Sequence, residues 1–163
     1  MSARWLPLCA LLGPAAVLGG ALFSQYVGGL MPCPMCIWQR WPHGVAIALA
    51  ALALLVGPGR VGAALLWFGA AALLIGAGLG AFHAGVELQY WEGPSSCTGG
   101  AIGGLTPQQL IEQIMAAPLV RCDEIEWSFL GVSMAGWNAV LSLFMAGLTG
   151  LAARRYASSS ASQ

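Results

Sequence analysis

Apolar residues fall into four long stretches, parted by glycine-rich or polar breaks. The first covers about 6–27 and is interrupted by Gly13-Pro14. Cleaved signal peptides have apolar cores of about 7–15 residues, so this longer run reads as a retained membrane helix, kinked at Pro14. The second stretch, about 38–56, reaches the roughly 20 residues a span needs only if its helix begins near Cys36. Pro42 then falls in its first turns, where a missing amide is cheap. The third, about 61–85, carries Gly62, Ala63, Gly69, Ala70, Gly76 and Gly80 at near-helical spacing, the small-residue pattern that lets membrane helices approach closely. Trp127 and Phe129 form an interfacial aromatic belt ahead of the fourth, about 130–151.

The polar segments between the runs, about 28–37 and 86–129, lie outside the bilayer. Gly57-Pro58-Gly59-Arg60 is a tight turn on the other side. Within the long segment, Thr106 and Pro107 have the N-cap and first-position chemistry of a helix start. Leu110, Ile111, Ile114 and Met115 then put one apolar face on a short helix that can lie on the membrane surface. The pattern predicts an all-α membrane protein: a four-transmembrane-helix bundle with a long extramembrane loop carrying a short amphipathic helix. Residues 1–163 read as a single integral membrane domain without internal repeat.

Composition strengthens that class. The chain is 58% hydrophobic and 7% charged, against about 25% charged in an ordinary soluble domain. Nucleic acid is excluded as a partner, because the six basic residues, all arginine, form no basic patch. All six acids (Glu87, Glu92, Glu112, Asp123, Glu124, Glu126) lie between 87 and 126, whereas Arg4, Arg60, Arg154 and Arg155 mark the opposite ends of the spans. The positive-inside rule puts those arginines, and both termini, in the cytoplasm.

Four of the five cysteines, Cys33, Cys36, Cys97 and Cys122, then share the non-cytoplasmic side, where disulfides persist. Three pairings are open to them. Cys33 and Cys36 are closest in sequence, which leaves Cys97 with Cys122 across a long loop. Arg40 stands four residues past Cys36, so on a helix its charge would favour that thiolate. Cys9, inside the first span, reads as a small hydrophobe.

The stretch Pro32-Cys33-Pro34-Met35-Cys36-Ile37-Trp38-Gln39-Arg40-Trp41-Pro42-His43 resembles the motif of the disulfide bond formation protein B family of bacterial inner-membrane oxidoreductases. Phe82-His83-Ala84-Gly85-Val86-Glu87 and Cys122-Asp123-Glu124-Ile125-Glu126-Trp127-Ser128-Phe129-Leu130-Gly131 are similar to it too, so the likeness spans nearly the whole chain. It implies a multi-pass protein of the inner membrane whose active cysteines face the periplasm. It also implies reoxidation of a periplasmic DsbA-type thiol oxidase, with two electrons passed to ubiquinone or menaquinone in the membrane pool. In that scheme Cys97 is the sulfur attacked by the partner and Cys122 completes the exchange. Cys33 and Cys36 receive the electrons next, Cys36 facing the quinone. Arg40 holds the quinone, and His83 and Met134 line its pocket. The pair Pro34-Met35 between the cysteines departs from the type pattern, which leaves the redox poise of this pair unspecified.

Other readings compete. A vitamin K epoxide reductase-like enzyme shares the four-helix bundle, but its Cys-x-x-Cys is expected at the head of the last core helix. A soft-metal site is a second alternative, since Cys-Pro-x-Cys suits soft ions; no histidine or acid lies near Cys33 in sequence, and no metal is expected. Arg40 read alone is an interfacial anchor, Met134 is plain packing, and His43 is structural. His83 and Glu87, spaced i and i+4, suit a helix-end hydrogen bond.

Overall fold

The computed structural model describes residues 5–94, 106–116 and 120–159. Four long helices carry the fold: α1 (Trp5–Tyr26), α2 (Pro34–Val56), α3 (Arg60–Glu87) and, after a short α4 (Pro107–Ala116), α5 (Met134–Ser159). All but α4 are long and apolar enough to cross a membrane. α3 packs most extensively, against α5 and α2, and α1 lies across α2 and α5. Large apolar side chains such as Phe23, Leu55, Phe68, Ile75 and Phe144 point outward, where lipid takes the place of a protein core.

The small residues of α3 explain its central place. Gly62, Ala63, Gly69, Ala70, Gly76 and Gly80 are all buried. A Cβ on Gly80 would stand 2.8 Å from the Ala139 backbone nitrogen and 3.0 Å from the Ala135 carbonyl oxygen of α5. Backbones that close leave room for glycine alone. Gly76 similarly faces the Pro42 ring of α2. At the end where α1 begins and α5 ends, alanines from every span (Ala10, Ala50, Ala53, Ala63, Ala152) close around Leu66 and Tyr156.

Two boundaries differ from the sequence reading for local reasons. α2 starts at Pro34, four residues before the apolar run, because Cys33 caps it. Its extended backbone (φ −70°, ψ 165°) lets Sγ accept from the Cys36 amide at 3.3 Å, as an N-cap side chain does toward the third helical residue. Pro42 therefore sits two turns in, and α2 continues through it. α5 starts at Met134 rather than near 130. Leu130 and Gly131 both have positive φ (52° and 77°) and form the two-residue turn of a small antiparallel hairpin, β1 (Ser128–Phe129) against β2 (Val132–Ser133). Positive φ at both loop residues is the geometry that matches hairpin twist. Ser133 then caps α5, its Oγ accepting from the Gly136 amide at 3.2 Å. α1 runs without a break through the buried Pro14.

α4 opens as its sequence implies. Thr106 Oγ1 accepts from the Gln109 amide while Gln109 Oε1 accepts from the Thr106 amide, the reciprocal pattern of a capping box. Ile111 and Met115 stand exposed on its surface.

Candidate active site

One end of the bundle gathers the start of α2, the end of α3, the loop before β1 and the start of α5. The cap at Cys33 places both Cys-x-x-Cys sulfurs at this end, 3.2 Å apart. Cys33 is buried and Cys36 partly so. From α3, His83 brings Nε2 to 3.6 Å from Cys33 Sγ, and one turn on Glu87 Oε1 lies 3.8 Å from the same nitrogen. Glu87 accepts a short hydrogen bond from the Ser133 hydroxyl, which ties α3 to the head of α5. From the loop, Cys122 is fully buried. The sulfurs of Cys33 and Cys122 and His83 Nε2 all lie within 4.8 Å of one another. Cys97 lies outside the described residues.

The Cys33 thiol is held well below its ordinary range. A hydrogen bond from Cys36 does most of this, His83 and the Cys36 amide help, and burial works against them. A thiolate at a helix N-terminus also meets the positive end of the helix dipole. The sequence reading placed the favoured thiolate at Cys36, beneath Arg40. In the structure, cap and hydrogen bonds converge on Cys33 instead, and Arg40 Nη1 donates to Gln25 Oε1 of α1 at 2.6 Å.

A cavity of about 680 Å³ opens beside the two sulfurs, enclosed mainly by α1, α2, α5 and the segment before β1. Cys33, Cys36, Arg40, His83 and Met134 all line it, together with Gln39, His43 and Asn138. Its volume is in the range of small-molecule sites, which are commonly apolar with a few placed polar groups. One such group is available: Arg40 Nε is buried with no hydrogen-bond partner among the described residues.

Arg121, beside Cys122, does not act on that sulfur through a free charge. Its guanidinium grips Asp123 in a two-pronged pair (2.9 and 2.6 Å) and reaches Glu124 at 3.4 Å. The Asp123 partner raises the guanidinium further, and Arg121 in turn lowers the Asp123 carboxyl.

Cys33, His83 and Cys122 also have the mutual spacing of a soft-metal cluster. A bound ion would need the lone pair of His83 Nε2, with a proton on Nδ1 donated to an acceptor. Nδ1 instead lies 2.7 Å from the amide nitrogen Nε2 of Gln39, a donor. The arrangement suits hydrogen bonding to sulfur better than it suits a metal.

Sequence reading gives Gln39 a place in the motif but no role, does not single out Asn138, and reads His43 as structural. His43 Nε2 bonds Asn138 Oδ1 at 2.8 Å, and Asn138 Nδ2 donates to Gln39 Oε1 at 2.6 Å. The available signal was Asn138 itself, an amide inside an apolar span, where polar side chains are costly and usually have a role. Cys9 lies exposed on the outer face of α1, apart from this site.

Four apolar spans with a capped, hydrogen-bonded dithiol against a cavity define a membrane-embedded thiol oxidoreductase. The family model of the disulfide bond formation protein DsbB matches residues 3–152. Relatives named disulfide bond formation protein B include one from Polaromonas naphthalenivorans, 35% identical over 155 residues (91% of this chain, 88% of the relative). Another, from Chromohalobacter salexigens, is 35% identical over 170 residues and covers 95% of each chain. One from Paracidovorax citrulli is 33% identical over 163 residues (90% of this chain, 88% of the relative). No solved structure matches the chain. The chain belongs to the DsbB family. It is a multi-pass membrane enzyme of disulfide bond formation.

Proposed function

We propose that this protein reoxidises a periplasmic DsbA-type dithiol oxidase and delivers the two electrons to a membrane quinone. The observation that carries this reading is the approach of Cys122 Sγ to within 4.8 Å of Cys33 Sγ. It joins the segment that carries Cys122 to a dithiol on the wall of a cavity.

The steps balance as thiol–disulfide exchange. A partner thiolate attacks Cys97 of a Cys97–Cys122 disulfide, Cys122 leaves as thiolate, and the partner's second thiolate closes the partner's disulfide and frees Cys97. Cys122 then attacks Cys33 of the Cys33–Cys36 disulfide, and Cys36 leaves with the electron pair. Cys97 attacks Cys122, which restores that disulfide and releases Cys33. Exchange is fastest when the leaving thiolate is stable, and Cys33 is the sulfur on which hydrogen bonds converge. Two electrons now reside on Cys33 and Cys36.

A bound quinone, ubiquinone or menaquinone, supplies the terminal two-electron acceptor. The cavity volume, the unpartnered Arg40 Nε and the adjoining Cys36 fit such a ligand. Arg40 would donate to a ring oxygen, and Met134 and His83 would flank it. A fixed cation there favours the charge that builds on oxygen during reduction.

This reading places the protein in the bacterial inner membrane with its cysteines periplasmic and its termini cytoplasmic. Arg60, Arg154 and Arg155 lie at the bundle end opposite the dithiol, which supports that orientation. The test is purified protein with reduced DsbA-type oxidase and ubiquinone, followed at the quinone absorbance. Quinone loss should match partner oxidation mole for mole. Partner oxidation no faster than in the absence of the protein would refute the reading.

A further inference from the structure

A row of polar side chains, all buried except the half-buried Asn138, runs from the dithiol into the bundle: His83, Gln39, Asn138, His43 and Ser142, contributed by α3, α2, α5, α2 and α5. Nothing in the exchange chemistry requires the two amides. Uncompensated, such groups are costly in an apolar span. Here each is bonded on both sides, and the bonds have a direction.

The direction is set by a backbone carbonyl. Met35 O can only accept, and it lies 3.3 Å from Gln39 Nε2. That fixes the amide nitrogen of Gln39 on this side, which is also the side of His83 Nδ1, at 2.7 Å. Nδ1 must then accept, so the proton of a neutral His83 sits on Nε2, the nitrogen that faces Cys33. The other end of Gln39 follows. Its Oε1 accepts from Asn138 Nδ2, which turns Asn138 Oδ1 toward His43 Nε2 and the Ser142 hydroxyl. His43 therefore donates through Nε2, and its Nδ1 is buried without a partner among the described residues, as an unprotonated nitrogen can be. Every donor in the row points toward Cys33. Hydrogen bonds aligned in one sense polarise one another.

We propose that Gln39 and Asn138 are positioning residues that hold neutral His83 as an N–H donor to the Cys33 sulfur. Both stand on the cavity wall, but their side-chain bonds run to each other, to His83, to His43 and to the Met35 carbonyl. They act on the sulfur through the tautomer of His83. The ring then stabilises Cys33 as a thiolate without carrying a charge and without giving up its proton. This is what the sulfur needs as it leaves Cys122. The groups facing Cys33 are Cys36 on α2, His83 and Glu87 on α3, and Cys122 on the loop. A donor at Nε2 also keeps the Glu87 carboxylate from facing the thiolate unopposed.

The chain has two histidines, so full-length reduced protein labelled with ¹⁵N-histidine gives two ring patterns in a long-range ¹H–¹⁵N spectrum, assigned by His83→Gln. His83 should show the Nε2–H tautomer. Gln39→Glu replaces the donor by a carboxylate acceptor, which should draw the neutral ring's proton from Nε2 to Nδ1. Asn138→Leu, which adds no charge, should loosen the preference. Cys33 alkylation by iodoacetamide, read on its peptide across pH, should fall about tenfold on the acid side in Gln39→Glu, the effect of roughly one pKa unit, and less in Asn138→Leu.

An Nδ1–H tautomer in the unaltered protein would overturn the proposal, and so would an unchanged Cys33 profile in Gln39→Glu. If neither variant folds, the unaltered tautomer decides alone. The proposal rests on Cys33 being one of the reacting sulfurs, but neither partner nor quinone enters the experiment. Its failure would leave the proposed turnover standing, and a failed turnover assay would leave the tautomer result intact.

Discussion

The two ends of the bundle are built on opposite principles. At the end where α1 begins and α5 finishes, Ala10, Ala50, Ala53, Ala63 and Ala152 close around Leu66 and Tyr156. Contact there is made by short side chains and nearby backbones. At the other end the buried cluster is Cys33, Met35, Val86 and Cys122, beside a cavity of about 680 Å³ and a row of bonded polar groups. The first end uses close packing for stability. The second leaves space and places hydrogen bonds with direction. Substitutions at the two ends should therefore fail differently, one in folding and the other in chemistry.

The largest effect is expected at the sulfurs. Cys33→Ser or Cys36→Ser should lower quinone-coupled turnover by on the order of 1,000-fold, while the thermal midpoint of the reduced protein stays close to the parent's. Turnover assays with calorimetry check both halves of the statement. Comparable turnover and a collapsed midpoint would erase the contrast between the ends.

Arg40→Ala should raise the quinone KM by roughly tenfold or more, since a hydrogen bond to a charged group contributes about 1.5–3 kcal/mol. Arg40→Lys should recover part of it, because a single ammonium lacks the planar fork. Partner oxidation in a single turnover should change less. An unaltered KM would return Arg40 to an anchor that bonds Gln25.

On the packed side, Ala53→Leu at a fully buried position should destabilise by about 1–3 kcal/mol through overpacking, with KM unchanged in the protein that folds. Denaturation in detergent against quinone titration separates the two. A changed KM with normal stability would show that the ends are coupled.

pH gives a smaller and more specific signal. The folded Cys33 thiol is depressed from the ordinary 9.0, chiefly by Cys36 and then by His83. A depressed value favours thiolate, so its contribution is complete above pH 9.0 and is lost as pH falls through the lowered value. Alkylation of reduced Cys33 should thus persist near about pH 6, where an ordinary thiol is largely protonated. A profile that follows an ordinary thiol would remove Cys33 as the stabilised sulfur. Smallest of all, Arg121→Ala should leave turnover and thermal midpoint almost unchanged, because its pair with Asp123 and Glu124 is exposed and such pairs contribute little.

The spans and the dithiol were readable in the sequence because they are local signals: run length, small-residue spacing in α3, and a Cys-x-x-Cys beside Gln-Arg. The start of α5 was not. Leu130 and Gly131 continue an apolar run, and nothing in that pattern shows that both take positive φ. The row of polar groups was hidden for another reason. Gln39 meets His83 across 44 positions and Asn138 across 99, so no spacing rule connects them. The bond from Arg40 to Gln25 was hidden in the same way, because it joins α2 to α1 and no periodicity within one helix shows it.

The central claim is that electrons cross from the loop to the cavity wall through Cys122 and Cys33. The direct test is full-length protein carrying Cys36→Ser and Cys97→Ser, oxidised gently and digested without reduction. Mass spectrometry should find one peptide pair joined through Cys33 and Cys122 in most molecules, formed within a single chain. Recovery of both sulfurs as free thiols, or joined only between chains, would contradict the account.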